Sequence, residues 1–167
     1  NISTTANGGA VAVTGGSLWI TNATFVANQA PAGADIANSA GMVTMRNVTL
    51  WQATGGSIFN DDVTSSGTWM DNSAVDSLTG PDCVGMVNGQ GNVASDDTCS
   101  GLPDTSPGFG TLDDHGGDVR TVNLIAGSAA VDAGNFDTCQ AVDARGISRP
   151  QGAQCDAGAF EVETVYV

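Results

Sequence analysis

The chain has 167 residues, enough for one domain with a buried core, and its 18 acidic residues against 4 basic ones give a formal net charge of −14. All four cations are arginines (Arg46, Arg120, Arg145, Arg149), so no basic patch can form to release counterions from nucleic acid, and the acidic surface disfavours anionic membranes. The missing lysine and the lone His115 exclude Schiff bases, lysine isopeptide cross-links and any site built on two imidazoles.

Apolar residues make up 41% of the chain, so acidity here does not mean disorder, while 23 glycines and scarce Leu and Glu argue against helix. No run of residues is apolar and long enough to span a membrane as a helix. Asn1-Ile2-Ser3-Thr4 reads as the tail of a repeat unit. Three full units follow: Leu18–Phe25, Val43–Leu50 and Thr68–Val75 superimpose with their asparagines Asn22, Asn47 and Asn72 each 25 residues apart. Ile20, Met45 and Met70 coincide, as do Phe25, Leu50 and Val75. A small-residue turn and a short strand precede each unit, at Gly8-Gly9-Ala10-Val11, Gly33-Ala34-Asp35-Ile36 and Gly56-Ser57-Ile58-Phe59.

Within one unit Leu18 and Ile20 alternate with Ser17, Trp19 and Thr21, the period of a strand with one buried face. A break at Asn22 turns a corner and brings Phe25 back inside. Two or three short strands per 25 residues describe one coil of a parallel β-helix, which buries its apolar face only by stacking on the next coil. At about 4.8 Å per rung, the whole chain would make a rod on the order of 30 Å long. Asn22, Asn47 and Asn72 suit a left-handed corner, and an inward ladder of their amides is expected. Glycosylation competes at Asn1, Asn22 and Asn47, which fit the sequon. Trp19, Thr44 and Trp69 share an outward register, and Trp51 also faces out. They predict a binding surface or subunit interface, or local packing beneath a loop.

From residue 79 the repeat fades. The chain divides into coils over residues 1–80 and a C-terminal β-helix and capping region over 81–167, within one continuous domain. Cys83 and Cys99, and Cys139 and Cys155, are each 16 positions apart without a C-x-x-C. That suits two local disulfides better than a zinc site or four buried thiols, and disulfides imply an oxidising compartment. Between and beyond them come Leu112-Asp113-Asp114-His115-Gly116-Gly117, then Gly127-Ser128-Ala129-Ala130-Val131-Asp132-Ala133-Gly134. Last are Asp143-Ala144-Arg145-Gly146-Ile147-Ser148-Arg149-Pro150-Gln151-Gly152 and Cys155-Asp156-Ala157-Gly158-Ala159-Phe160-Glu161.

This order of motifs resembles the C-terminal region of choice-of-anchor Q surface proteins, related in repeat style to polymorphic outer-membrane-protein repeats. The resemblance covers about residues 80–163. His115 and Ala129 depart from it, standing where that pattern has Asn and Pro. It implies a right-handed parallel β-helix, an extracellular, surface-attached protein and no particular activity. The all-β fold expected is therefore a right-handed solenoid with a disulfide-stapled cap. Arg145 and Arg149 are expected to clamp carboxylates such as Asp132, Asp143 or Asp156.

An enzyme would need convergent carboxylates, for which Asp61-Asp62 with Asp71, and Asp113-Asp114-His115, are the candidates. Adjacent strand residues point to opposite faces, so solvated turn acids are the better reading and catalysis is not expected. No cofactor and no metal site are expected. Structural calcium at Asp96-Asp97 or Asp113-Asp114 is the side reading. The edges of a β-helix need cover. The C-terminal signature is expected to cover one; at the other the chain starts inside a coil, which predicts a second subunit or further sequence there. The alternating stretch 160–167, with Phe160, Val162 and Tyr166, predicts strand addition to a neighbouring copy and a head-to-tail filament. The expected function is a secreted structural or adhesive surface protein, self-associating or carbohydrate-binding, without nucleic acid or membrane insertion. A carbohydrate-binding module or polysaccharide-active β-helix enzyme is the alternative.

Overall fold

A computed structural model describes residues 1–61, 67–99, 102 and 104–163. Four coils stack. The first holds β1 (Val11–Val13), β2 (Ser17–Thr21) and β3 (Thr24–Val26). The second holds β4 (Ile36–Asn38), β5 (Met42–Arg46) and β6 (Thr49–Trp51). The third holds β7 (Ile58–Asn60), β8 (Thr68–Asp71) and β9 (Ala74–Asp76). The fourth holds β10 (Cys83–Val84), β11 (Val87–Asn88) and β12 (Val93–Ala94). They form three parallel sheets, β1-β4-β7-β10, β2-β5-β8-β11 and β3-β6-β9-β12: a parallel β-helix.

Ile20, Met45 and Met70 stand in one column and Phe25, Leu50 and Val75 in another, as their spacing predicts. The third unit is one residue out at its first strand, because Ile36 pairs with Ile58 and not with Phe59. Ile58 is the fully buried one, so side-chain burial sets the register over the match of the small-residue turns. Ile36, Val43, Met45, Leu50, Ile58, Met70 and Val75 are all fully buried. Val11, Leu18, Ile20 and Phe25 of the first coil are only half-buried against them. The difference is the stacking neighbour each coil has or lacks.

The ladders continue where the repeat fades. Ile58 pairs with Cys83 at the old spacing, but Thr68 already pairs with Val87. Shortened corners hide this fourth coil from a search at fixed period. The expected rod is also shorter, since four rungs span only roughly 15 Å and the remaining chain wraps alongside. Cys83–Cys99 closes the far end: Cys99 and Leu102 sit on the last coil's core, and Asp104 bridges Ala94 in parallel. Beneath that loop lies the buried Asp82, whose Oδ1 accepts from Ser77 N (2.7 Å) and Oδ2 from Ser95 N (2.7 Å) and Ser95 Oγ (2.9 Å). Replacing Cys83 and Cys99 by alanine is expected to cost about 3 kcal/mol in a denaturant titration, the loop-closure entropy of a span of this size.

Asp35 lies fully buried in the turn before β4, its Oδ1 accepting from Asn28 Nδ2 (2.7 Å). Burial pushes its carboxyl up from 3.8 to about 6. The native state therefore holds this proton where the unfolded chain has released it, so stability falls as pH rises from about 4 to about 6. The fall contributed by a shift of this size is about 3 kcal/mol. Asp35→Asn should remove it, seen as a smaller difference between unfolding free energies at acid and neutral pH than in the parent.

After the coils the chain forms an antiparallel hairpin, β13 (Phe109–Asp113) and β14 (Thr121–Leu124). It covers the outer face of β3-β6-β9-β12: Phe109 meets Trp51 edge-on at 6.1 Å, and Leu124 packs with Ala74 and Val93. Trp51 thus faces outward but serves local packing. The chain then runs back as a strap along the corners of Asn72, Asn47 and Asn22. All three asparagines are left-handed, with φ of 50, 51 and 50°. Asn72 Oδ1 accepts from Asn135 N (2.6 Å) and its Nδ2 donates to Asn135 O (3.0 Å). Asn47 Oδ1 accepts from Gln140 N (3.1 Å) and its Nδ2 donates to Asp156 O (3.3 Å). Asn22 Nδ2 donates to Val142 O (2.9 Å). The column is therefore a docking rail for the strap and not an inward ladder. Its amides reach the strap's backbone in place of each other, and Asn47 is fully buried beneath it. The inward amide ladder exists one sheet away, where Asn38 Nδ2 donates to Asn60 Oδ1 (3.2 Å).

The strap's second pass, joined to the first by Cys139–Cys155, presses so close that a Cβ on Gly158 (φ +107°) would meet Thr49 Oγ1 at 2.7 Å. The C-terminal motifs turn out to grip one another. Arg149 donates to Glu161 Oε2 (2.7 Å), Asp156 O (2.8 Å) and Gly158 O (2.8 Å), with the Arg149 and Glu161 side chains fully buried. Arg145 pairs with Asp143 (2.8 Å), donates to Glu161 O (2.6 Å) and lies 3.7 Å over the Phe160 ring. Of the expected carboxylates only Asp143 forms such a pair. Asp132 and Asp156 bind backbone N–H groups, at Gln154 and at Asp132 and Val162, and Glu161 is the carboxylate on Arg149. Burial raises the carboxyls of Glu161 and Asp156 and lowers the Arg149 guanidinium. The C-terminal signature is thus a side clamp, while Cys99 and Leu102, following the fourth coil, cover its core at the far end.

Candidate functional site: the uncovered sheet

The hairpin covers one sheet and the strap one corner. Among the described residues, neither lies over the outer face of β2-β5-β8-β11. Alternation on its strands sends Leu18, Ile20, Val43, Met45 and Met70 inward and leaves their neighbours outside. In register along the stack these are Trp19, Thr44, Trp69 and Asn88. Trp19 is 64% exposed and Trp69 43%. Two rungs separate the indoles, roughly 10 Å, with only Thr44 between them.

The next outward column holds Thr21, Arg46 and Asp71. Arg46 Nε stands 3.7 Å from Asp71 Oδ2, with 45% of the arginine side chain exposed. Asp71 Oδ1 accepts from Gln90 N (3.1 Å). A shallow cavity of about 520 Å³ opens here, lined by Arg46, Trp69, Asp71, Asn88, Gly89 and Gln90. The site joins an apolar ring face to a forked donor, a carboxylate and two amides. Such groups are suited to stacking and hydrogen bonding.

Other candidates are dispersed. Asp61 is exposed, and Asp62 lies outside the described residues. Asp113 and Asp114 sit at the hairpin's turn, their Oδ1 atoms accepting from Asp114 N and Gly116 N. His115 binds Thr111 O and meets Phe160 edge-on. Asp96 caps Thr98 N through Oδ1 and Asp82 N through Oδ2. Among the described residues no three His, Cys, Asp or Glu side chains converge as metal ligands. Phe160 and Val162 pack inside the chain's own second core, contrary to an interface role, and Tyr166 lies outside the described residues. Sequence reading missed Arg46, Asn88 and Gln90. Only the coil register, with its shortened fourth turn, brings them to Trp69.

No helix among the described residues is long and apolar enough to cross a membrane, and two disulfides fit an oxidising compartment. No family model, curated protein or solved structure matches this chain.

Proposed function

We propose that this chain is a secreted, non-catalytic structural or adhesive protein of a cell surface, meeting its surroundings through the uncovered sheet. The observation that carries the reading is the pair of exposed indoles held in one column of a rigid, disulfide-stapled solenoid. Large exposed aromatics in register are costly to leave in water without a partner. The two disulfides support an extracellular site.

End-to-end stacking is the sharper form of the proposal. The half-buried Val11, Leu18, Ile20 and Phe25 of the first coil support it, because a further coil, of this chain or of another copy, would bury them. Phe160 and Val162 are engaged at home and Cys99 and Leu102 sit on the far end, so copies that stack would do so through their first coils. Electron microscopy of native material with antibody labelling of intact cells tests both statements. Surface label is expected, with paired particles where first coils meet. Label confined to the cell interior overturns the proposal.

A further inference from the structure

We infer that the uncovered sheet binds an extended, uncharged glycan laid along the stack axis. Trp69 serves as the central stacking platform, and Arg46, Asp71, Asn88 and Gln90 as the hydroxyl-binding edge. The inference rests on the adhesive reading above and specifies its ligand.

A pyranose presents an apolar C–H face and a rim of hydroxyls that both donate and accept. Trp69 offers the matching flat apolar surface. Beside it stand groups of both polarities: the Arg46 guanidinium donates in a fork, the Asp71 carboxylate accepts, and the amides of Asn88 and Gln90 do both. Arg46 holds Asp71 only at 3.7 Å, leaving its other N–H groups free to bridge neighbouring hydroxyls.

Charge selects within the class. Arg46 and Asp71 balance locally, while the whole chain carries −14, so a polyanionic glycan would be repelled and an uncharged one would not. Shape selects the direction. The indoles of Trp19 and Trp69 lie on one column parallel to the axis, separated by the small Thr44. A chain stacked on both must run along the rod and span roughly 10 Å. A short oligomer can use Trp69 and its polar edge, but only a longer one reaches Trp19 as well, gaining the linked second contact.

The test is calorimetric titration of the folded chain with linear uncharged oligosaccharides of glucose, xylose, mannose and N-acetylglucosamine, in increasing length, with polygalacturonate as the charged comparison. Tighter binding with length is expected for at least one uncharged series, unaffected by added salt, and none for polygalacturonate. Trp69→Ala should weaken all lengths at least about tenfold, about 1.4 kcal/mol. Trp19→Ala should weaken only the longer oligomers. Trp51→Phe, beneath the hairpin, serves as the control and should bind as the parent does. Thermal melts confirm that each variant is folded. No binding to any uncharged series, or binding that survives Trp69→Ala, overturns the inference. So does burial of Trp19 and Trp69 by self-association, read as loss of fluorescence quenching at rising protein concentration without sugar. That last result leaves the surface reading intact, whereas interior label overturns the surface reading whatever the sugar titration shows.

Discussion

Arg149→Ala should destabilise the fold by about 3–5 kcal/mol, the cost of leaving a buried partner charge unpaired. Its guanidinium is fully enclosed and donates to Glu161 and to the carbonyls of Asp156 and Gly158. Removing it takes the donor from Gly158 O and the counter-charge from Glu161, while Asp156 O keeps Asn47 Nδ2 and Glu161 Oε2 keeps Asp156 N. The loss depends on pH, and its sign follows from Glu161. Burial already raises that carboxyl above its ordinary value, and without Arg149 it rises further. The variant's native state then keeps a proton that the unfolded chain gives up, so its stability falls as pH climbs above the ordinary glutamate range. Denaturant unfolding should show a larger deficit at neutral pH than at acid pH. Adding Glu161→Gln to Arg149→Ala should recover part of it, because the unpaired charge goes while a side-chain oxygen remains for a backbone N–H of Gln151 or Asp156. Hydrogen exchange in Arg149→Ala should quicken first along the strap, at 134–142 and 155–161, before the coils open. A deficit below about 1 kcal/mol, typical of an exposed pair, would contradict the buried clamp.

The next largest effect is expected at Asn72. Alanine there loses both hydrogen bonds to Asn135 and must hold a left-handed backbone at φ 50°. The strained backbone costs about 1–2 kcal/mol and each buried group left unpaired about 1–3 kcal/mol. A total of roughly 3–4 kcal/mol is expected, less than the simple sum because the loosened strap lets water in. Asn72→Gly separates the two causes. It accepts the backbone angle and loses only the bonds, so it should fall between the parent and Asn72→Ala in unfolding free energy. Equal losses for the two variants would place the whole effect in the hydrogen bonds.

The coils were legible because their physics is local and repeated. Period-two alternation around Ile20, Met45 and Met70 and one asparagine per corner suffice to place three rungs. Register at β7 slipped by one because small-residue turns tolerate insertion, whereas the buried Ile58 does not. The roles of the rail asparagines were hidden because their partners come from residues 135, 140, 142 and 156, and no local pattern reports so distant a contact. The same holds for Glu161. Among many aspartates, sequence alone offered Asp132, Asp143 and Asp156 to the arginines; packing kept Asp143 for Arg145 and set Glu161 on Arg149. At the uncovered sheet the two outward indoles were legible from alternation. Their polar edge was not, since Asn88 and Gln90 lie on the shortened coil.

The direction of the strap bears on how the molecule is made. Each coil closes against its predecessor within a few tens of residues, so the stack can grow as the chain emerges. Asn22 waits for Val142, a partner 120 positions later. The loop that this contact closes is the slowest kind to form. During synthesis or export, the corner face of the coils therefore stays bare until residues 135–142 have followed them. A chain truncated before residue 142 would keep its coils but leave that flank open to aggregation.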